Sequence, residues 1–174
     1  MAQKKKEALE LVRELERGHD ETFQKTNQFY NLLIHLRYEG KASLGKNIHE
    51  AGEVLNFFKG QHSEHMELEE DVIFPFLKTH VPKLEPVIHL LHAEHQDFKR
   101  NLKTFEHLLE ELVKEKYDLN SQYILEKIRD TGTYLIYLLR SHNQSESDSV
   151  YKVIDQELHT DEKRELCNQI ENFH

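Results

Sequence analysis

His65-Met66-Glu67-Leu68-Glu69-Glu70-Asp71-Val72-Ile73-Phe74-Pro75 sets a histidine and a carboxylate four residues apart, then runs into an apolar Val-Ile-Phe-Pro stretch. On a helix, residues i and i+4 lie on one face a turn apart, so His65 and Glu69 can point at one object. A second His-x-x-x-Glu stands at His142 and Glu146. Taken alone, either pair is an ordinary feature of a solvated helix. Taken together, they require a fold that brings two distant helices side by side.

The surrounding sequence supplies those helices. Apolar residues recur at three- and four-residue steps through Leu15, Phe23, Phe29, Tyr30, Leu33 and Ile34, which predicts a helix over about 4–38. Gly18 interrupts that pattern and predicts a kink or a break just before His19. Gly40–Gly45 reads as a loop, followed by a helix over about 46–78 in which Pro75 should kink or end the run. The prolines at 82 and 86 mark a stop and restart, and a third helix covers about 86–115. Tyr117–Ser121 is the next connection, with Asn120 or Ser121 as helix cap, and a fourth helix runs to about 157. A short fifth helix over about 161–172 resembles a lid or end-cap. Four long helices on short loops predict an all-α, up-down-up-down four-helix bundle with a short C-terminal helix. The 174 residues read as a single domain, its core over about 15–156 and a helical extension over 157–174.

The histidines reveal an internal repeat. His19 to His65 spans 46 residues and His95 to His142 spans 47, and each second histidine is followed at +4 by a glutamate. His19-Asp-Glu-Thr-Phe23 answers His95-Gln-Asp-Phe98. The halves are therefore two helical hairpins, each giving one histidine from its first helix and a His/Glu pair from its second. The motif positions fall early in helices one and three and late in two and four, which is one end of an up-down bundle. Four imidazoles and two carboxylates, His19, His65, Glu69, His95, His142 and Glu146, would meet there.

Composition narrows what such a cluster is for. Lys plus Arg number 23 against 32 Asp plus Glu, a net charge of −9, which argues against a nucleic-acid or anionic-membrane partner. No apolar run approaches the ~20 residues that span a bilayer, and no signal-peptide core is present. A lone cysteine, Cys167, rules out an intrachain disulfide and a thiolate metal site. These features describe a cytoplasmic protein. Imidazole nitrogen with carboxylate oxygen suits iron or manganese, with zinc open through geometry. Six side chains exceed one tetrahedral zinc and suit two metals with the carboxylates free to bridge. The order His-x-x-x-Glu is the reverse of the Glu-x-x-His of ferritin-like di-iron bundles, which disfavours that kind of site.

On His19, His65-Met-Glu-Leu-Glu69-Glu-Asp-Val-Ile-Phe-Pro75, Ala93-Glu94-His95 and His142-Asn-Gln-Ser-Glu146, the chain resembles hemerythrin-like (HHE cation-binding) proteins over about residues 15–156. The resemblance implies a non-haem di-iron centre of two iron ions with carboxylate and oxo or hydroxo bridges. It also implies metal ligands at His19, His65, Glu69, His95, His142 and Glu146. The chain departs from the oxygen carriers of that family at Leu91, where their third helix has another histidine. It departs again after His142, where the carboxylate stands at +4 and Ser147 at +5. What remains is similar to the four-His, two-Glu proteins of iron–sulfur cluster repair, nitric-oxide response and iron sensing. The implied role is to bind or sense O2, NO, peroxide or iron and redox state. The alternatives are a di-iron peroxidase or NO-reducing enzyme, and a passive iron store or donor. A protein partner or a homo-oligomer stays open.

Near the motifs, His92 lies three residues before His95 and His62 three before His65, each in reach of the same interior. Either is a fifth nitrogen ligand, an orienting donor, or simply a polar neighbour on a helix flank. Glu70 could reach a ligand imidazole, although an acidic residue beside a kink is ordinarily solvated.

Overall fold

The computed structural model describes residues 2–114 and 121–173. Helix α1 (Ala2–Tyr38) is followed by α2 (Gly40–Lys59), α3 (Gln61–Leu68), a π-helical turn (Glu69–Ile73), α4 (Phe74–His80) and a 3-10 turn (Pro82–Leu84). Then come α5 (Glu85–Lys114), α6 (Ser121–Glu146), a second π-helical turn (Ser147–Tyr151), α7 (Lys152–Gln156) and α8 (Thr160–Glu171). The described residues contain no strand, and the fold is an all-α bundle with a short C-terminal helix, as the periodicity predicts. Among them, no helix is long and apolar enough to cross a membrane.

Several expectations need correction. Helix α1 runs unbroken through Gly18. A Cβ there would come within 3.3 Å of the His65 imidazole, so Gly18 makes room for a side chain rather than ending a helix. The expected loop at 40–45 is helical, because Leu44 and Asn47 are buried and carry the turn inward. The expected helix over 46–78 is interrupted at Gly60, where a Cβ would sit 3.2 Å from the Asn56 carbonyl. Pro75 does not end its helix. It is the second residue of α4, where a missing N–H is tolerated, and the distortion lies upstream in the π-helical turn. There the Phe74 N–H donates to the Glu69 carbonyl five residues back. The connection at 117–120, including the Asn120 cap, lies outside the described residues.

Two compact units can be distinguished. One comprises Phe23–Gln61 with Gln96–Arg140. Its interior is aromatic and aliphatic: Phe29 stands edge-on to Phe105 at 4.9 Å, and Phe58 approaches Phe98 at 5.6 Å. Gly132 lets α6 approach α1, since a Cβ would lie 2.8 Å from Leu33 Cδ2. Phe23, Tyr30 and Ile34, expected inside, are exposed. At about 100° per residue the three share a second stripe, while Phe29, Leu32, Leu33 and Leu36 form the buried one.

The other unit comprises the chain up to Thr22, His62–His95 and Ser141 onward. Ile73, Phe74, Leu77, Ile88, Leu91, Val150 and Ile154 are buried together, and Leu166 of α8 is fully buried among them. Cys167, Ile170 and Phe173 pack against the same cluster. Helix α8 is thus part of this core and touches the turn that carries Glu69, rather than lying over it as a lid.

Candidate metal centre

All six motif residues fall in the second unit, and their side chains converge. His19 projects from α1, His65 from α3, His95 from α5, and His142 and Glu146 from α6; Glu69 opens the first π-helical turn. Glu69 and Glu146 have no exposed side-chain surface, and none of the four imidazoles exceeds 14 % exposure. Two sets of donor atoms form, each with its members within 4.8 Å of one another: His19, His65, Glu69 and Glu146 in one, and Glu69, His95, His142 and Glu146 in the other. Both carboxylates belong to both sets.

The contacts show where the donors aim. His19 Nε2 lies 2.9 Å from Glu146 Oε2, and His65 Nε2 lies 3.1 Å from Glu69 Oε1. His95 Nε2 is 3.4 Å from Glu69 Oε2, His142 Nε2 is 3.2 Å from Glu146 Oε1, and the two imidazole nitrogens face each other at 3.0 Å. Despite this proximity, His65 Nε2, Glu69 Oε2 and Glu146 Oε1 are buried and make no well-directed hydrogen bond. Buried polar atoms are ordinarily satisfied, and leaving one without a partner costs about 1–3 kcal/mol. Converging donor atoms, three of them without a hydrogen bond, fit a bound cation.

Charge follows the same geometry. Burial disfavours a charged imidazole at His65, but the Glu69 carboxylate outweighs it and raises the pKa to about 9. At His142 burial is likewise overcome, first by Glu146 and also by Glu94, and the pKa rises to about 10. Burial would lift Glu69, yet His65 and then His95 hold it well below the usual carboxylate range. Protons on the histidines are thus what balances the buried carboxylates when no cation does.

Outside the donor sets, carboxylates grip the backs of two imidazoles. His95 Nδ1 is 2.9 Å from Glu70 Oε1, and His142 Nδ1 is 2.9 Å from Glu94 Oε2. Such partners fix ring orientation and raise the basicity of a ligand nitrogen. Glu70 is therefore engaged and not solvated, and Glu94 plays the same part without having been singled out. Only adjacency to Glu69 and His95 in sequence hinted at either. His92 is outside both donor sets, its side chain 54 % exposed, and approaches the centre only through Glu70 at 3.5 Å. His62 is buried and also outside both sets, its Nδ1 3.3 Å from the Thr22 hydroxyl. Burial, then the neighbouring His65 and His142, hold its pKa well below the ordinary value.

A profile of the hemerythrin HHE cation binding domain matches residues 10–154. The chain belongs to this family. The HHE domain covers the chain from residue 10 in α1 to residue 154 in α7, so the whole histidine and glutamate cluster lies within it. No curated protein and no solved structure matches the chain. Membership makes this a metal-binding domain with histidine and glutamate donors, in agreement with the two donor sets.

Proposed function

We propose that the HHE domain holds two iron ions, which would be held by the His19/His65 and His95/His142 donor sets, with Glu69 and Glu146 common to both. The observation that carries this reading is the sharing of the two buried carboxylates by both donor sets. A nitrogen and oxygen set without thiolate favours iron over a structural zinc, and the family supports a cation in this place. Iron held by these residues would supply a change of redox state and the capacity to bind a small ligand. The chain's own groups complete the site. Glu70 and Glu94 orient two imidazoles, while Phe74, stacked 5.8 Å from His95, keeps the centre dry. The domain accordingly binds or senses a small oxidant, NO, or the iron and redox state itself.

Anaerobic titration of the iron-loaded domain with NO, and of the oxidised form with azide, followed optically, tests this. Saturable new absorption bands are expected. Two retained irons with no new band would leave a passive store, and steady consumption of peroxide with a reductant would make the domain an enzyme.

A further inference from the structure

Within the repeated motifs, the residue five after each shared carboxylate is aromatic: Phe74 after Glu69, Tyr151 after Glu146. Phe74 directly follows one π-helical turn and Tyr151 ends the other, and each lies against a histidine of the cluster. Phe74 stacks on His95 with rings 19° apart, and Tyr151 tilts over His19 at 4.7 Å. The two rings do the same work of excluding water and fixing an imidazole. They differ by one oxygen, and that oxygen points into the centre. The Tyr151 hydroxyl is 2.9 Å from His19 Nε2 and donates to Glu69 Oε1 at 3.1 Å, with the residue 2 % exposed.

We propose that Tyr151 is a seventh residue of the centre, a positioning residue whose hydroxyl holds Glu69 in place beside His19 and makes the two metal positions unequal. The proposal rests on the two-metal reading above. In the His95/His142 position, each imidazole is backed by a carboxylate, Glu70 or Glu94, at 2.9 Å. In the other, among the described residues, His19 Nδ1 meets the Ser147 hydroxyl at 3.4 Å and no carboxylate, and the Tyr151 hydroxyl holds the shared carboxylate. Carboxylate backing makes an imidazole a stronger ligand than a hydroxyl does. The His95/His142 position therefore takes the tighter-held ion. The His19/His65 position depends on Tyr151 for the placement of Glu69 and holds the more exchangeable one.

Anaerobic titration of the metal-free chain with cobalt(II), by calorimetry and visible absorption, compares the wild type with Tyr151→Phe. The wild type should take up two ions in two unequal steps. Tyr151→Phe should keep the tighter step and weaken the other about tenfold, with that step's visible bands altered. Superimposable isotherms and spectra for the two proteins would overturn the role of Tyr151 while leaving the two-metal centre standing. Fewer than two ions in the wild type would instead overturn the two-metal reading, and the proposal with it.

Should the variant fail to fold, the wild type still decides through its near-ultraviolet tyrosine absorption. Among the described tyrosines, Tyr30, Tyr38, Tyr123, Tyr134 and Tyr137 are each at least 42 % exposed, whereas Tyr151 is buried at the centre. A tyrosine difference band growing with the weaker step is expected. A band that follows the tighter step, or none, would refute the proposal.

Discussion

The two compact units spend their buried volume in opposite ways. The unit made of Phe23–Gln61 and Gln96–Arg140 is filled by Phe29, Phe58, Phe105 and a run of leucines, with only Thr26, Asn47 and Ser121 as buried polar residues among those described. The other unit buries His19, Thr22, His62, Glu69, His95, His142 and Glu146, every ionisable side chain in the buried set. Apolar burial stabilises without help, whereas buried ionisable groups are costly unless protons or cations balance them. One unit therefore carries stability that is independent of metal, and the other carries the chemistry and depends on what fills it.

The largest effect on that contrast should come from Phe58→Ala. Losing a fully buried phenylalanine costs about 3–5 kcal/mol, read by denaturant unfolding of the metal-loaded chain. The number of ions bound per folded chain should not change. A changed stoichiometry would show that the aromatic unit is not independent of the site.

A smaller effect is expected at the carboxylates behind the ligands. Glu94→Gln keeps the shape but removes the charge facing His142 Nδ1, and should weaken metal binding by about 10–100-fold. Competition with a chelator measures it. Unaltered affinity would mean that Glu94 is only a solvated neighbour.

A further effect is a pH dependence of the metal-free protein. His65 and His142 are raised to about 9 and about 10, so their contribution is present in full below about 6.5 and is lost as pH climbs through those values. Glu69 and His62 are lowered, so their contributions are present above their ordinary values and fall away in acid. Thermal melts should thus peak at about pH 6.5 and decline on both sides. Metal replaces the protons on His65 and His142, so loading should flatten the alkaline decline. Melts that decline equally in alkali with and without metal would contradict this.

The candidate donor set was legible in the sequence because helical spacing is rigid. A separation of four residues within a helix, repeated after 46 and 47 residues, puts all six side chains at one end of a helical bundle, where they cluster. Features that depend on neighbours were not legible. Gly18 and Gly60 read as generic helix breakers, but what distinguishes them is the His65 ring beside one and a carbonyl beside the other. Phe23, Tyr30 and Ile34 satisfy the same three- and four-residue rule as the core, and only packing selects which stripe is buried. Tyr151 sits beyond the motif, and its link to His19 crosses 132 residues of chain. Its one sequence signal was the repeat itself, carried five residues past each glutamate.

The sharing of Glu69 and Glu146 is tested most directly by counting iron in the purified, anaerobically loaded wild type and in Glu69→Ala and His65→Ala. Two ions per chain are expected in the wild type. His65→Ala, which removes a donor from one set, should lose about half of the iron or more, and Glu69→Ala, which removes a donor from both, should lose essentially all of it. Two ions retained in His65→Ala, or one held as tightly as before in Glu69→Ala, would contradict a centre built on shared carboxylates.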